Sequence, residues 1–305
     1  MKFTYQQTSK ERLDKYLQTK LNISRSQIKK IILDGQVKVN QEIPSVYRWL
    51  KVDDLIEYKA KEIDLNHPIA KKNNKIIKPR IIKQTEDYLI INKPHGLLVH
   101  PTDKKETNTL ANWLLEKFPD LIHVGDDPRR PGIVHRLDRE VSGLMIIALN
   151  QKFFEIIKKQ FQERTIIKEY TALAHGNIIN NEGEVITPLE RDNESGLMKA
   201  LPAGEGLNAH TTYEVIKRYP NYTLIKVQIK TGRMHQIRAH LYSIGHSIVG
   251  DKLYQTKDLR KKKKIVDLRI FLHASSLKFQ DAQGQWQSYQ SKLPIELEKF
   301  LAELK

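Results

Sequence analysis

Asp138 stands between Arg136 and Arg139 in Gly132-Ile133-Val134-His135-Arg136-Leu137-Asp138-Arg139-Glu140-Val141-Ser142-Gly143, ahead of the apolar run Leu144 to Leu149. A carboxylate held beside fixed cations at a strand end stays ionised at neutral pH and can act as nucleophile or base. Arg-x-Asp-Arg alone also fits a local ion pair in a solvated loop. Arg238, within Met234 to Leu241, is the second candidate. Helical spacing puts it on the face of Met234 and Leu241. An arginine turned toward a core needs a carboxylate or loses its hydration uncompensated, and Asp138 is the candidate partner. The other reading has Arg238 snorkel to solvent. Tyr170, by spacing alone, is a sheet-face residue. His235 and His240 are five residues apart, on different helix faces, which argues against a shared metal ion.

These residues need elements to hold them. Val141 and Leu144 to Leu149 predict a strand buried on both faces, entered from a charged loop. Thr107 to Phe118 and Lys152 to Glu163 predict amphipathic helices, the second with Phe154, Ile157 and Phe161 on one face. Ile166 to Leu173 and Leu224 to Lys230 read as strands, Met234 onward as a helix ended by Gly245, and Pro294 to Lys305 as a last helix. Lys93-Pro94-His95-Gly96 is a tight loop after the strand Tyr88 to Asn92. Upstream, Arg12 to Tyr58 predicts a separate unit. It has a helix with Leu13, Tyr16, Leu17 and Leu21 inward, and a second helix, capped by Ser24 or Ser26, with Ile28, Ile31 and Ile32. Strands follow at Val37 to Asn40 and Leu55 to Tyr58. The other face of its second helix carries Arg25, Lys29 and Lys30, spaced to meet successive phosphates or simply to face water. Lys59 to Pro79 turns to Lys, Asn and Pro and reads as a linker.

The 305 residues carry 52 Lys and Arg against 36 Asp and Glu, a formal charge of +16. Such a surplus points to a polyanionic partner, nucleic acid before an anionic membrane. The chain has no cysteine, which excludes disulfides, Cys-ligated zinc and a Cys nucleophile. Met1 to Lys10 lacks a signal-peptide core, and no apolar run approaches the ~20 residues of a membrane span. A soluble cytoplasmic protein is expected.

His-Arg-Leu-Asp, then Ser-Gly and an apolar strand, resembles the catalytic motif of the RluA/RluD-type RNA pseudouridine synthases, with Val141 where that family usually has Thr. Lys168-x-Tyr170-x-Ala172 resembles the family's second motif, whose Tyr lies against the target uracil. Thr231-Gly232-Arg233-x-His235-Gln236-Ile237-Arg238-x-His240-Leu241 resembles its third, whose last Arg pairs with the catalytic Asp. Lys-Pro-x-Gly precedes the catalytic loop there and helps shape the site, and Leu272-His273-Ala274 resembles the closing segment. Near the start, Arg12-Leu13-Asp14-Lys15-Tyr16-Leu17, Ser24-Arg25-Ser26-Gln27-Ile28 and Asp34-Gly35-Gln36-Val37-Lys38-Val39-Asn40 resemble an S4 RNA-binding domain. Gln41 and Asp53 stand there at turn positions usually held by Gly.

The resemblance implies an α+β fold. A small S4-type unit (1–62) and a linker (63–79) precede a pseudouridine synthase domain (80–305) with a mixed, mostly antiparallel sheet flanked by helices. It implies site-specific isomerisation of uridine to pseudouridine in structured RNA, with large-subunit ribosomal RNA expected and transfer RNA the alternative. The target base would be flipped from its stack. No redox, metal or nucleotide cofactor is expected. The implied catalytic residues are Asp138, Tyr170 and Arg238. Implied substrate contacts are Arg136, His135 and Ile237, with Arg25, Lys29 and Lys30 in the S4-type unit. A monomer acting on RNA is expected. Two other classes fit the residues less well. A uridine methyltransferase working through a covalent C6 adduct normally needs a Cys nucleophile. A non-catalytic RNA-binding ribosome assembly factor gives no reason for an intact Asp138, Tyr170 and Arg238 trio. The basic run Lys257 to Lys264 reads equally as an RNA-touching or a solvated loop.

Overall fold

The sequence places an apolar cluster on each side of a polar stretch, and the structure, a computed structural model, has a main core on each side of it. It describes residues 1–7, 10–21, 25–59, 77–102, 106–256, 258–259 and 268–304. Most of the expected linker, most of the 257–264 basic run and the Ser24 cap fall outside these residues.

The first unit packs α1 (Leu13–Leu21) and α2 (Arg25–Leu33) on three antiparallel strands in the order β1-β3-β2. These are β1 (Lys2–Thr4), β2 (Val37–Val39) and β3 (Leu55–Tyr58). The strand β1 extends the unit beyond the expected start at Arg12, because Lys2, Phe3 and Thr4 pair with Glu57, Ile56 and Leu55. Leu13, Leu17, Ile28, Ile32, Val37, Val39 and Ile56 form the core. At the two turns where glycine was the expected residue, Gln41 and Asp53 take φ of 71° and 70°. The turn geometry persists, and two side-chain-bearing residues accept the left-handed backbone that glycine takes without steric cost.

The second unit is built on one nine-stranded sheet. β4 (Arg80–Gln84) and β5 (Tyr88–Lys93) form a hairpin, and β5 pairs with β6 (Ser142–Ala148), buried along its whole length. Beyond β6 the order runs β13 (Leu272–Gln280), β7 (Ile167–His175), β12 (Tyr222–Ile229), β11 (Thr211–Tyr219) and β8 (Glu182–Val185), with β14 (Trp286–Gln290) on β13. Among the described pairings of this sheet, β6 with β13 is parallel and the rest antiparallel. The expected mixed, mostly antiparallel sheet is therefore present. A small hairpin, β9 (Leu189–Arg191) with β10 (Met198–Ala200), stands apart from it.

Local chemistry sets the helix limits. α3 (Leu110–Lys117) starts three residues after the expected Thr107, because the Thr109 side chain accepts from Asn112 N–H and caps it. α4 (Gln151–Glu163) is capped by Asn150, whose side chain accepts from Phe153 N–H at 2.9 Å. It buries Phe153, Phe154 and Ile157 against the sheet and ends at Arg164 in the left-handed conformation. α5 (Gln236–Ser243) and α6 (Ile295–Glu303) follow. Gly143 decides the central pairing. It has φ of 126°, and a Cβ there would run into the backbone of Ala274 on β13. Only a residue without Cβ lets β6 and β13 meet where the catalytic-type loop enters the sheet.

Candidate active site

Asp138 lies in the loop that leads into β6. Two tethers hold that loop. Val141 N–H donates to the Asp138 carbonyl at 3.1 Å, closing a turn. Beneath it, Lys93 at the end of β5 is fully buried. Its Nζ donates to the carbonyls of Pro94 (2.9 Å), Leu97 (2.8 Å) and Arg139 (3.1 Å). Gly96 N–H also donates to the Arg139 carbonyl, at 2.8 Å, so Lys-Pro-x-Gly and the Asp138 loop form one hydrogen-bonded body. Burial pushes Lys93 down to about 7, outweighing the attraction of Asp138.

A hundred residues later, α5 brings Arg238 to Asp138, with Nη1 donating to Oδ2 at 3.2 Å. The helix begins at Gln236, two residues after the expected start, because His235 takes φ of 51° and precedes the first turn. Met234 packs instead with a small cluster of Leu189, Met198, Ala209, Ala239 and Tyr254. Arg238 is almost wholly buried, so the snorkelling alternative does not hold.

One carboxylate cannot satisfy a buried guanidinium, which carries five N–H donors. The rest of the fork goes to Asp251. Arg238 Nε donates to Oδ2 at 2.7 Å and Nη2 to Oδ1 at 2.9 Å. Asp251 also accepts from the backbone N–H groups of Leu253 (2.9 Å) and Tyr254 (3.1 Å). The Tyr254 ring lies 5.1 Å from the guanidinium carbon. Its hydroxyl accepts from Met198 N–H at 2.8 Å and sits 3.0 Å from His235 Nδ1. With the hydroxyl proton directed to Nδ1, His235 carries its own proton on Nε2, which lies 3.8 Å from Asp138 Oδ2. Burial lowers the His235 pKa against the pull of Asp138. The sequence reading missed Asp251 and Tyr254, and gave Lys93 only as part of a string that helps shape the site. The donor count of a buried arginine was the available signal for Asp251.

Tyr170 on β7 is buried and lies in register with Ala274 and Val227. Burial pushes its phenol up, with the charge of Asp138 adding to the shift. A cavity of about 560 Å³ joins these residues, lined by Asp138, Tyr170, Arg238 and Ile237 and by His135 and Arg136. Seven Lys and Arg side chains line it against the single carboxylate of Asp138. Such a wall suits an anionic substrate. His135 is held from behind, its Nε2 accepting from Ile146 N–H at 3.0 Å and its ring stacked 4.8 Å from Phe161. Burial takes its pKa to about 3, so the ring is neutral. Arg136 is exposed at the cavity. Arg25, Lys29 and Lys30 are on α2 of the first unit and not in this cavity. Lys29 is exposed, and the side chains of Arg25 and Lys30 lie outside the described residues. Among the described residues no group of His, Asp and Glu is arranged to hold a metal ion, and no helix is long and apolar enough to cross a membrane.

Comparison with known proteins places this arrangement. Residues 87–243 match the RNA pseudouridylate synthase family and residues 11–44 the S4 domain. An uncharacterized RNA pseudouridine synthase of Aquifex aeolicus is 38% identical over 292 residues, 93% of this chain and 90% of that one. The ribosomal large subunit pseudouridine synthase D of Haemophilus influenzae is 31% identical, over 92% of this chain and 87% of that one. The solved structure of human RNA pseudouridylate synthase domain containing 1 shares the fold, with a TM-score of 0.58 at 23% identity over 73% of this chain and 86% of that one. A mixed sheet with these motifs on it, behind an S4 domain, makes the chain a member of the RNA pseudouridine synthase family.

Proposed function

We propose that the protein isomerises specific uridines to pseudouridine in large-subunit ribosomal RNA, with Asp138 as the catalytic carboxylate. The carrying observation is a lone carboxylate, oriented by a buried arginine, in a cavity where the Lys and Arg side chains number seven. The reaction breaks N1–C1′, turns the uracil and joins C5 to C1′. The proton leaves C5 and N1 gains one, so nothing is consumed. Asp138 supplies the nucleophile or base for this exchange, and Arg238 fixes its direction and offsets its charge. Tyr170 packs against the flipped uracil, with its hydroxyl near the C5 proton. Ile237 floors the pocket, His135 offers a neutral ring edge, and Arg136 meets the RNA where the base leaves its stack.

Residues 1–62 act as an RNA-binding unit, with Arg25, Lys29 and Lys30 on phosphates, and 63–79 as a linker to a catalytic domain at 80–305. The named activity of the Haemophilus relative supports the choice of ribosomal RNA. A monomer in the cytoplasm fits a substrate of that kind.

Asp138→Asn tests the reading. Purified wild-type protein should convert uridines in ribosomal RNA from a strain lacking the gene, detected by a pseudouridine-specific chemical label. Asp138→Asn should lose about 10²–10⁴-fold or more in rate, while RNA affinity, which rests on dispersed phosphate contacts, stays near wild type. Turnover by Asp138→Asn at wild-type rate, with no reversion by deamidation, removes Asp138 from the mechanism.

A further inference from the structure

Lys168 stands two residues before Tyr170 on β7, and alternate residues of a strand face the same side. Both line the cavity. Lys168 Nζ lies 5.1 Å from the centre of the Phe161 ring on α4. It is also 3.8 Å from where a Cβ on Gly232 would stand, in the turn before α5. The ammonium is therefore near both a helix and a turn. Among the described residues it has no carboxylate within ion-pair distance and no hydrogen-bond acceptor. Burial pushes its pKa down to about 8, the expected consequence of an uncompensated charge. The Phe161 ring face offsets part of that cost and accepts none of the three N–H groups in a conventional hydrogen bond.

Most lysines with such a deficit turn to water. Lys168 is half-buried in the cavity wall beside Phe161 and the turn before α5, so a ligand that displaces water from the cavity must itself supply an acceptor. Its spacing from Tyr170 indicates which part of the ligand that is. Residues i and i+2 on one strand face are roughly 6.6 Å apart, a span comparable to that from a nucleobase through its ribose to its own phosphate.

We propose that Lys168 binds the backbone phosphate of the flipped nucleotide, so that β7 holds the uracil with Tyr170 and the phosphodiester of the same residue with Lys168. The inference rests on the cavity being the uridine pocket. It separates Lys168 from exposed cations such as Arg136, which can meet any stretch of backbone.

The test uses the full-length protein and a stem-loop cut from large-subunit ribosomal RNA around the uridine that wild-type protein converts. Three versions of that RNA are made. One is natural, one carries a neutral methylphosphonate at the phosphate 5′ or 3′ of the target uridine, and one carries it two nucleotides away. At one of the flanking positions, the methylphosphonate should lower wild-type kcat/KM at least tenfold. Lys168→Met should show a similar loss on natural RNA and no further loss on the modified RNA. Lys168→Arg, which keeps the cation, should stay sensitive to the same position. The distant methylphosphonate should affect wild type and Lys168→Met equally. Thermal melting checks that the variants fold, and Lys168→Gln replaces the methionine variant if that one melts early. Losses that multiply, or a Lys168→Met protein as active as wild type, overturn the proposal while leaving the functional reading intact. Wild-type protein that converts no uridine in ribosomal RNA overturns the functional reading and this inference with it.

Discussion

Arg238 joins two carboxylates of different standing. Asp138 keeps one guanidinium nitrogen and faces the cavity, whereas Asp251 takes the other two and is sealed from water. A lone Arg–Asp pair is free to rotate about its single contact. A fork fixed at its far side points Nη1 in one direction, which is how the arrangement sets the aim of Asp138. Asp251→Asn should therefore act twice. It leaves a buried guanidinium facing an amide, which costs roughly 3–5 kcal/mol of stability, and it loosens Asp138. Denaturant melts and single-turnover rates on the folded protein check both. An Asn variant with wild-type melting and rate would reduce Asp251 to a bystander. The Asp138–Arg238 contact was legible in the sequence, since Arg238 shares a helix face with the buried Leu241 and the motif supplied a carboxylate, although Met234 lies outside the helix. Asp251 was not, because its burial and its pairing with Arg238 arise only when the fold brings the two segments together.

At the scale of elements, the catalytic loop is held by a lysine in place of a strand. Lys93 ends β5 and gathers three carbonyls, one of them from Arg139. Its pKa is about 7 in the folded protein, against 10.5 for an ordinary lysine. Between these values the unfolded chain holds the proton that the folded protein has lost, so unfolding takes up a proton and stability rises with pH. The cost of burying the charge is fully present below about 7 and gone above about 10.5. Lys93→Met removes this contribution. Denaturation curves across pH 7 to 9.5 should climb more steeply for wild type than for the methionine variant, and parallel curves would mean that Lys93 titrates normally. The sequence marked Lys-Pro-x-Gly as a turn and its elements to within a few residues. It gave no hint that the lysine folds back under the neighbouring loop, since that depends on β5 lying beside β6. Likewise β1 escaped notice, because three residues of edge strand have too short a period to read.

For the whole molecule, charge divides unevenly in kind. Residues 1–59 hold twelve Lys and Arg against seven Asp and Glu, a moderate surplus spread over a small surface. The second unit instead lines one cavity with seven Lys and Arg against a single carboxylate. The first unit is thus suited to hold RNA and the second to act on it. Deleting residues 1–59 should weaken binding to long structured ribosomal RNA and lower the log–log salt slope by about one unit per lost phosphate contact, two to three if Arg25, Lys29 and Lys30 all engage. Conversion of the minimal stem-loop should survive. An unchanged salt slope in the shortened protein would show that this unit does not touch RNA.

The parallel pairing of β6 with β13 also governs when the enzyme comes into being. β13 lies between β6, which follows Asp138, and β7, which carries Tyr170. Until residues 272–280 arrive, those two strands have no common neighbour, and closing that gap joins segments about 130 residues apart in the chain. Long-range closures of this kind come late in folding. On a translating ribosome the catalytic pocket would thus stay open until residues 272–280 had been made, so a nascent chain could dock its first unit on RNA long before it could modify anything.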